Sequence, residues 1–307
     1  MKSSKKLIFF GNERLATAVT TTAPTLQALI STGYEIVAVI ASHTDSVSRQ
    51  KRDLEIGLVA RSHGIPVILS GKIDLSTKVK RHQTDAAVLV AFGKLIPQAV
   101  IDLFPKGIIN IHPSLLPKLR GPTPVETAIL DGVTETGVSL MRLSAKMDAG
   151  PVFIQKRIAI EGAETKQELA DKLLNEGVDL LIKNLPAILE GTLKPKPQID
   201  TQATYTKLFK KEDGVMDFGQ PAEILERQVR AYSGWPKSQA KIFGHQVIVT
   251  KAHIAKDKKD GNLVMKCLPA GRQASPSYLE ILELVGPSGK TMSGADFLRG
   301  YSRPLPS

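Results

Sequence analysis

Asn110, His112 and Asp148 are the residues of this chain whose types and spacing suit chemistry. Asn110 and His112 lie two positions apart in Lys106-Gly107-Ile108-Ile109-Asn110-Ile111-His112. A two-residue period puts both side chains on one face of a strand. The amide is a neutral donor and acceptor, and the imidazole titrates near neutrality. Pro113, Pro117 and Pro122 follow, and they forbid both a helix interior and a central strand. The chain past His112 therefore runs as a largely extended loop at its strand end, where an open parallel sheet binds ligands. Asp148 follows the next strand and reaches the same rim if that strand is parallel and adjacent.

The trio lacks a positioned nucleophile. Ser114 is near, but Pro113 separates it from the histidine and no G-x-S-x-G elbow exists. One His and one Asp do not complete a metal set, and His43, His63 and His82 have no recognisable spacing. What remains suits direct transfer of a carbonyl group between two bound partners, with one residue stabilising an oxyanion and another managing protons. The rival is a satisfied polar cluster at a strand end.

The surrounding elements can be read from periodicity. Leu7 to Phe10, Tyr34 to Ala41, Pro66 to Leu69, the nearly all-apolar Ala86 to Phe92 and the run to His112 read as strands. Gly137 to Leu143 and Pro151 to Ile160 continue the set. Helices are expected from Pro24, from Leu54 to Ser62, from Pro97 to Leu103 and from Pro124 to Leu130. A long amphipathic helix from Thr165 to Leu189 opens on a capping box, Thr165 with Glu168. Gly11 reads as an ordinary strand-to-helix turn, since G-x-G-x-x-G is absent. Gly93 lets the backbone come close to a ligand. Residues 1–190 thus form an α/β catalytic domain, 191–205 an aperiodic proline-bearing linker, and 206–307 a second domain. The second domain opens with a helix from Pro221 to Arg230, and its short strands point to a small barrel.

Composition narrows the function classes. No apolar run approaches a membrane span, and the run after Lys5 and Lys6 is too short for a secretory signal. The single cysteine, Cys267, cannot form an internal disulfide. A cytoplasmic monomer is expected. The formal charge of +11 suggests a polyanionic partner or a lysine-rich solvated surface, without deciding between them. Residues 206–307 hold 16 Lys/Arg against 10 Asp/Glu, so the excess extends into the second domain. Arg49, Lys51 and Arg52 bunch in a polar loop after a strand and suit either a polyanion contact or a solvated loop.

At this point a family resemblance becomes specific. The run from Asn110 to Pro122 resembles the signature of the folate-dependent formyltransferases, and Asn110, His112 and Asp148 fall on that family's catalytic positions. Val88 to Pro97 resembles the segment lining its pterin pocket. Ala203-Thr204-Tyr205, Lys211 to Gly214, Arg230-Ala231-Tyr232, Trp235-Pro236 and Gly294 to Gly300 resemble the linker and C-terminal domain of its members that act on charged initiator tRNA. Where the family usually has G-T-P-x-F-A after its first strand, this chain has Gly11-Asn12-Glu13-Arg14-Leu15-Ala16 and a few extra residues before Pro24. Leu208 stands where a lysine is usual, with Lys207 beside it, and Phe218 where a tryptophan is usual.

The resemblance implies an open, mostly parallel, Rossmann-like formyltransferase sheet followed by a small OB-like C-terminal β-barrel. It implies 10-formyltetrahydrofolate as donor, no metal, and the amino group of methionine on initiator tRNA as acceptor. That amine must be neutral to attack, and an α-amino group titrates near 8. Folate contacts would come from Phe92, Gly93, Lys94, Leu95, Ile96 and Pro97, and from Ser114, Leu115, Leu116 and Pro117. tRNA contacts would come from Arg49, Lys51, Arg52 and Lys207. A 10-formyltetrahydrofolate hydrolase, another folate-dependent formyltransferase, and a non-catalytic RNA-binding protein on this scaffold stay open as alternatives.

Overall fold

The computed structural model of the protein describes residues 6–42, 54–70, 75–257, 260–268 and 277–302; Arg49, Lys51 and Arg52 lie outside them. The chain divides into two compact units. The first comprises Met1–Val125, Thr134–Glu161 and Gln167–Lys207, the second Glu126–Val133, Gly162–Lys166 and Leu208–Ser307.

The elements begin with β1 (Lys6–Gly11), α1 (Pro24–Ser31), β2 (Glu35–Ala41), α2 (Glu55–Ser62), β3 (Val67–Leu69), α3 (Leu75–Lys80), β4 (Ala86–Val90) and α4 (Gln98–Ile101). They continue with β5 (Gly107–His112), α5 (Pro124–Leu130), β6 (Glu135–Arg142), β7 (Val152–Ala159) and α6 (Lys166–Glu190). The seven strands form one sheet in the order β3-β2-β1-β4-β5-β6-β7. It is parallel from β3 to β5, and its central strands are apolar because both faces are covered: β4 and β5 are buried throughout.

One expectation is corrected here. β6 is adjacent to β5 but antiparallel, with Ile109 opposite Arg142 and His112 opposite Ser139. Its end therefore lies beside the start of β5 and not at the rim. The loop that follows climbs back: Leu143 N donates to Ile108 O, and Arg142 N donates to Pro151 O to close the base. Three residues of strand separate Ile109 from His112, about 10 Å. The residues from Ser144 to Met147, which bend and turn, carry the chain to Asp148.

The chain leaves β1 for β2 on one side and β4 for β5 on the other, so a crevice opens between the ends of β1 and β4. Gly11 stands there with φ 129°, and a Cβ on it would lie 1.8 Å from Val90 O. It is a contact glycine between two strands, more than the ordinary turn residue its sequence suggests.

α1 starts at Pro24 as its proline dictates, but its cap is remote. Ala23 offers no side-chain acceptor. The buried carboxylate of Glu13 accepts from Thr25 N at 2.7 Å and Leu26 N at 2.9 Å. Burial pushes the Glu13 carboxyl up from 4.5 to about 7, although those two N–H groups pull the other way. An acid raised in the folded state adds stability below its unfolded value and loses it as pH rises through the folded one. Wild type should therefore lose about 3 kcal/mol, relative to Glu13→Gln, between pH 4 and pH 8. Urea titration of both proteins across that range checks this, and parallel pH dependences would refute it.

Residues 191–205, expected as an aperiodic linker, are bonded within the first unit. Lys196 exchanges both backbone hydrogen bonds with Val152, and Arg120 N donates to Thr204 O while Thr206 N donates to Arg120 O. The strap has no hydrophobic period because it is one chain thick and held by backbone pairing.

The second unit is built from α7 (Ala222–Ala231), β8 (Ser238–Ile242), β9 (His245–Ala255), β10 (Val264–Cys267), β11 (Ser277–Val285), β12 (Thr291–Ser293) and α8 (Gly294–Tyr301). Its strands form a curled, barrel-like antiparallel sheet in the order β10-β11-β9-β8, with β12 on β11. Two register shifts between β9 and β11 supply the bends that curl it. Leu225, Val229, Val249, Leu279, Ile281 and Phe297 fill its core. Among the described residues no helix is long and apolar enough to cross a membrane.

Candidate active site

β5 delivers the first two side chains. Asn110 and His112 are each only 5% exposed, yet polar, at the end of a strand that is otherwise glycine and isoleucine. His112 Nε2 lies 3.1 Å from Leu119 O. A carbonyl oxygen can only accept, so Nε2 carries hydrogen. Nδ1 faces Asp148 Oδ1 at 3.7 Å. The other oxygen of Asp148 accepts from Gly121 N at 2.8 Å. The Asn110 amide forms no hydrogen bond among the described residues and is not sealed in the interior. A buried strand end thus presents one unspent amide and one imidazole–carboxylate pair.

Three residues of this region sit in the left-handed backbone region: Ala91 at φ 50°, Leu119 at 57° and Asp148 at 47°. Each is disfavoured for a side-chain-bearing residue, least so for Asp. Leu119 supplies the carbonyl that orients His112, and Asp148 supplies the carboxylate. Strain of this kind collects where the surrounding structure over-determines a geometry that matters.

The loop after β4 is the second surface of the site. The peptide groups of Phe92 to Ile96 make no backbone hydrogen bond among the described residues. Five consecutive unpaired peptides at a strand end are an edge ready for a flat polar ligand. Gly93, at φ 71°, permits the turn, and a Cβ there would meet nothing nearer than Ser42 Oγ at 4.0 Å. The side chains divide by environment. Phe92 and Ile96 are buried in the core with Phe10 and Phe104, Leu95 is 76% exposed, Lys94 Nζ donates to Ser70 O at 2.7 Å, and Pro97 precedes α4. Of the loop after β5, Ser114 and Leu116 are interior. Ser114 Oγ donates to Lys118 O, and Leu116 N donates to Ser139 Oγ. Leu115 and Pro117 are half-buried. Lys207 is exposed, with its carbonyl accepting from Thr123 Oγ1 at 2.9 Å.

Arg120 and Gln198 were not anticipated as site residues. Arg120 is fully buried, beside the loop that carries Leu119 and Gly121, and Gln198 reaches the loop that carries Asp148. Arg120 lies inside the proline-bearing run, but a buried arginine looks like an exposed one in sequence. Among the described residues, no group of three or more His, Cys, Asp or Glu could hold a metal ion.

Comparison with known proteins bears on this arrangement. A family model described as formyl transferase matches residues 5–185, and one described as formyl transferase, C-terminal domain, matches residues 208–302. The chain is 35% identical over 308 residues to methionyl-tRNA formyltransferase of Chloroflexus aurantiacus, covering 96% of each. It is 34% identical over 317 residues to methionyl-tRNA formyltransferase of Geobacillus thermodenitrificans, covering 97% of this chain and 95% of the relative. Among solved structures, HypX from Aquifex aeolicus in complex with tetrahydrofolic acid superposes with a TM-score of 0.64 at 18% identity, over 98% of this chain and 49% of that one. An N-formyltransferase from Helicobacter canadensis, in complex with folinic acid and dTDP-3-aminofucose, gives 0.66 at 18%, over 90% and 98%. At such identities the two structures speak to the fold alone.

Proposed function

The chain belongs to the formyl transferase family, and we propose that it carries a formyl group from 10-formyltetrahydrofolate to the α-amino group of methionine on initiator tRNA. One observation carries this choice of acceptor. Identity near one third runs the length of both chains in methionyl-tRNA formyltransferases, while the N-formyltransferase solved with dTDP-3-aminofucose is 18% identical. The net charge of +11 suits a polyanionic acceptor.

On this reading the donor's flat ring edge lies against the unpaired peptides of Phe92 to Ile96, with Leu115 and Pro117 as further lining. The donor supplies a formyl group on a nitrogen that leaves as an amine. The neutral acceptor amine adds to the formyl carbon, and negative charge grows on the formyl oxygen. The Asn110 amide, without a partner among the described residues, donates to that oxygen. His112 donates beside it from Nδ1, and Asp148 holds positive charge on the ring from 3.7 Å. Balance requires one proton to pass from the acceptor nitrogen to the departing nitrogen, and the His112–Asp148 pair is the titratable pair that can hold it in between. Lys207, with Arg49, Lys51 and Arg52, would meet tRNA phosphates.

The test supplies 10-formyltetrahydrofolate with initiator tRNA charged with methionine, with elongator tRNA charged with methionine, and with a dTDP-amino sugar. Formylmethionine is expected on the initiator only. Formylation of the sugar, or of neither tRNA, would move the acceptor elsewhere.

A further inference from the structure

We infer that Gln198 is a positioning residue for Asp148: its carboxamide ties the loop carrying that carboxylate to the buried guanidinium of Arg120. This deepens the reading above and rests on Asp148 serving the reaction.

Gln198 spends its whole hydrogen-bonding capacity on three residues, Asp148, Gly150 and Arg120. Its Nε2 donates to Asp148 O at 2.8 Å and to Gly150 O at 2.7 Å. Its Oε1 accepts from Arg120 Nε at 3.1 Å and Nη2 at 2.8 Å. Two donors and two acceptor sites are all that an amide has. The loop it holds has reason to need holding, since Asp148 is in the left-handed region and follows a climb of five residues, 143–147, from an antiparallel strand. The side chain reaches His112 only if the backbone of Asp148 stays where it is.

Arg120 is a rigid anchor for that amide. It is fully buried, and Nη2 also donates to Asp200 Oδ1 at 2.7 Å and Nη1 to Tyr205 Oη at 3.2 Å. Its guanidinium lies over the Tyr205 ring, 5.9 Å from the centroid. The guanidinium holds the Asp200 carboxyl below the usual carboxylate range, so the pair stays charged near neutrality. Arg120 is also the residue between Leu119, whose carbonyl orients His112, and Gly121, whose N–H binds Asp148. One guanidinium and one carboxamide therefore tie together the backbones that orient both members of the pair.

The amide can be tested because its two ends have opposite polarity. Gln198→Glu keeps, and strengthens, the bond to Arg120 but turns acceptors toward two carbonyl oxygens. Gln198→Met removes both ends at similar size without adding charge. Gln198 is half-buried, so both variants should fold; circular dichroism and the thermal midpoint check that. If Gln198 only clamps the strap through Arg120, Gln198→Glu is neutral and Gln198→Met is the worse variant. If Gln198 positions Asp148, both lower kcat by about 10–100-fold with little change in KM, as misplacement of a reacting group does.

Steady-state formyl transfer is measured for both variants, alone and combined with Asp148→Asn. The expected result is loss of kcat in each single variant and no further loss on top of Asp148→Asn, because both act through one group. Normal kcat in Gln198→Glu while Asp148→Asn is impaired would overturn the positioning role, and so would losses that multiply. Normal kcat in Asp148→Asn would instead overturn the role of Asp148 from which the inference starts.

Discussion

Replacing His112 by alanine is expected to lower kcat by about 10²–10⁴-fold while the KM values for both substrates hold. The imidazole has no free surface to lend to ground-state binding: it is 5% exposed, with Nε2 spent on Leu119 O and Nδ1 facing Asp148. What it can add arises as charge develops on the formyl oxygen and a proton changes owner. An interaction made only in the transition state lowers kcat and kcat/KM together. The truncation also leaves Leu119 O and Asp148 without their partner, so equilibrium folate binding to the variant is the control. Turnover within a few-fold of wild type would remove His112 from the mechanism, whatever its geometry.

Asp148→Asn should be nearly as damaging, at about 10²–10³-fold in kcat, the range found when one transition-state stabiliser is removed. The substitution is a clean one here. The asparagine carbonyl can still accept from Gly121 N, as Oδ2 does at 2.8 Å, and the backbone carbonyl still receives Gln198. The charge beside Nδ1 goes, and an amide N–H donor takes the place of the Oδ1 acceptor. An unchanged kcat would leave Asp148 a turn residue.

Much of this site is legible in the sequence because its constraints are local. Asn110 and His112 stand out as polar residues ending an apolar strand, and the prolines after them exclude regular structure. β1, β4 and β5 read clearly because a strand buried on both faces must be an unbroken apolar run. The direction of β6 is not legible: either orientation buries the same residues, and the choice lies in pairing with β5. The resemblance puts Ser114 and Leu116 among the folate contacts, and a loop without a period does not reveal that both side chains are interior. Gln198 and Arg120 lie 78 residues apart, and no local signal marks a polar bond over that distance. The bonds from Glu13 to the start of α1 span 12 and 13 residues and are hidden in the same way.

That remote cap also bears on how the chain can vary. The residues between Glu13 and Thr25 form a ring, shut at its neck by two short hydrogen bonds. The neck holds strand and helix together whatever the circumference. Enlarging such a ring costs only about 0.6 kcal/mol per doubling of its length, so insertions and deletions near Thr20 to Thr22 can accumulate while Gly11 and Pro24 stay in place. A departure from G-T-P-x-F-A that supplies its own clasp can drift in length without disturbing the crevice beside it.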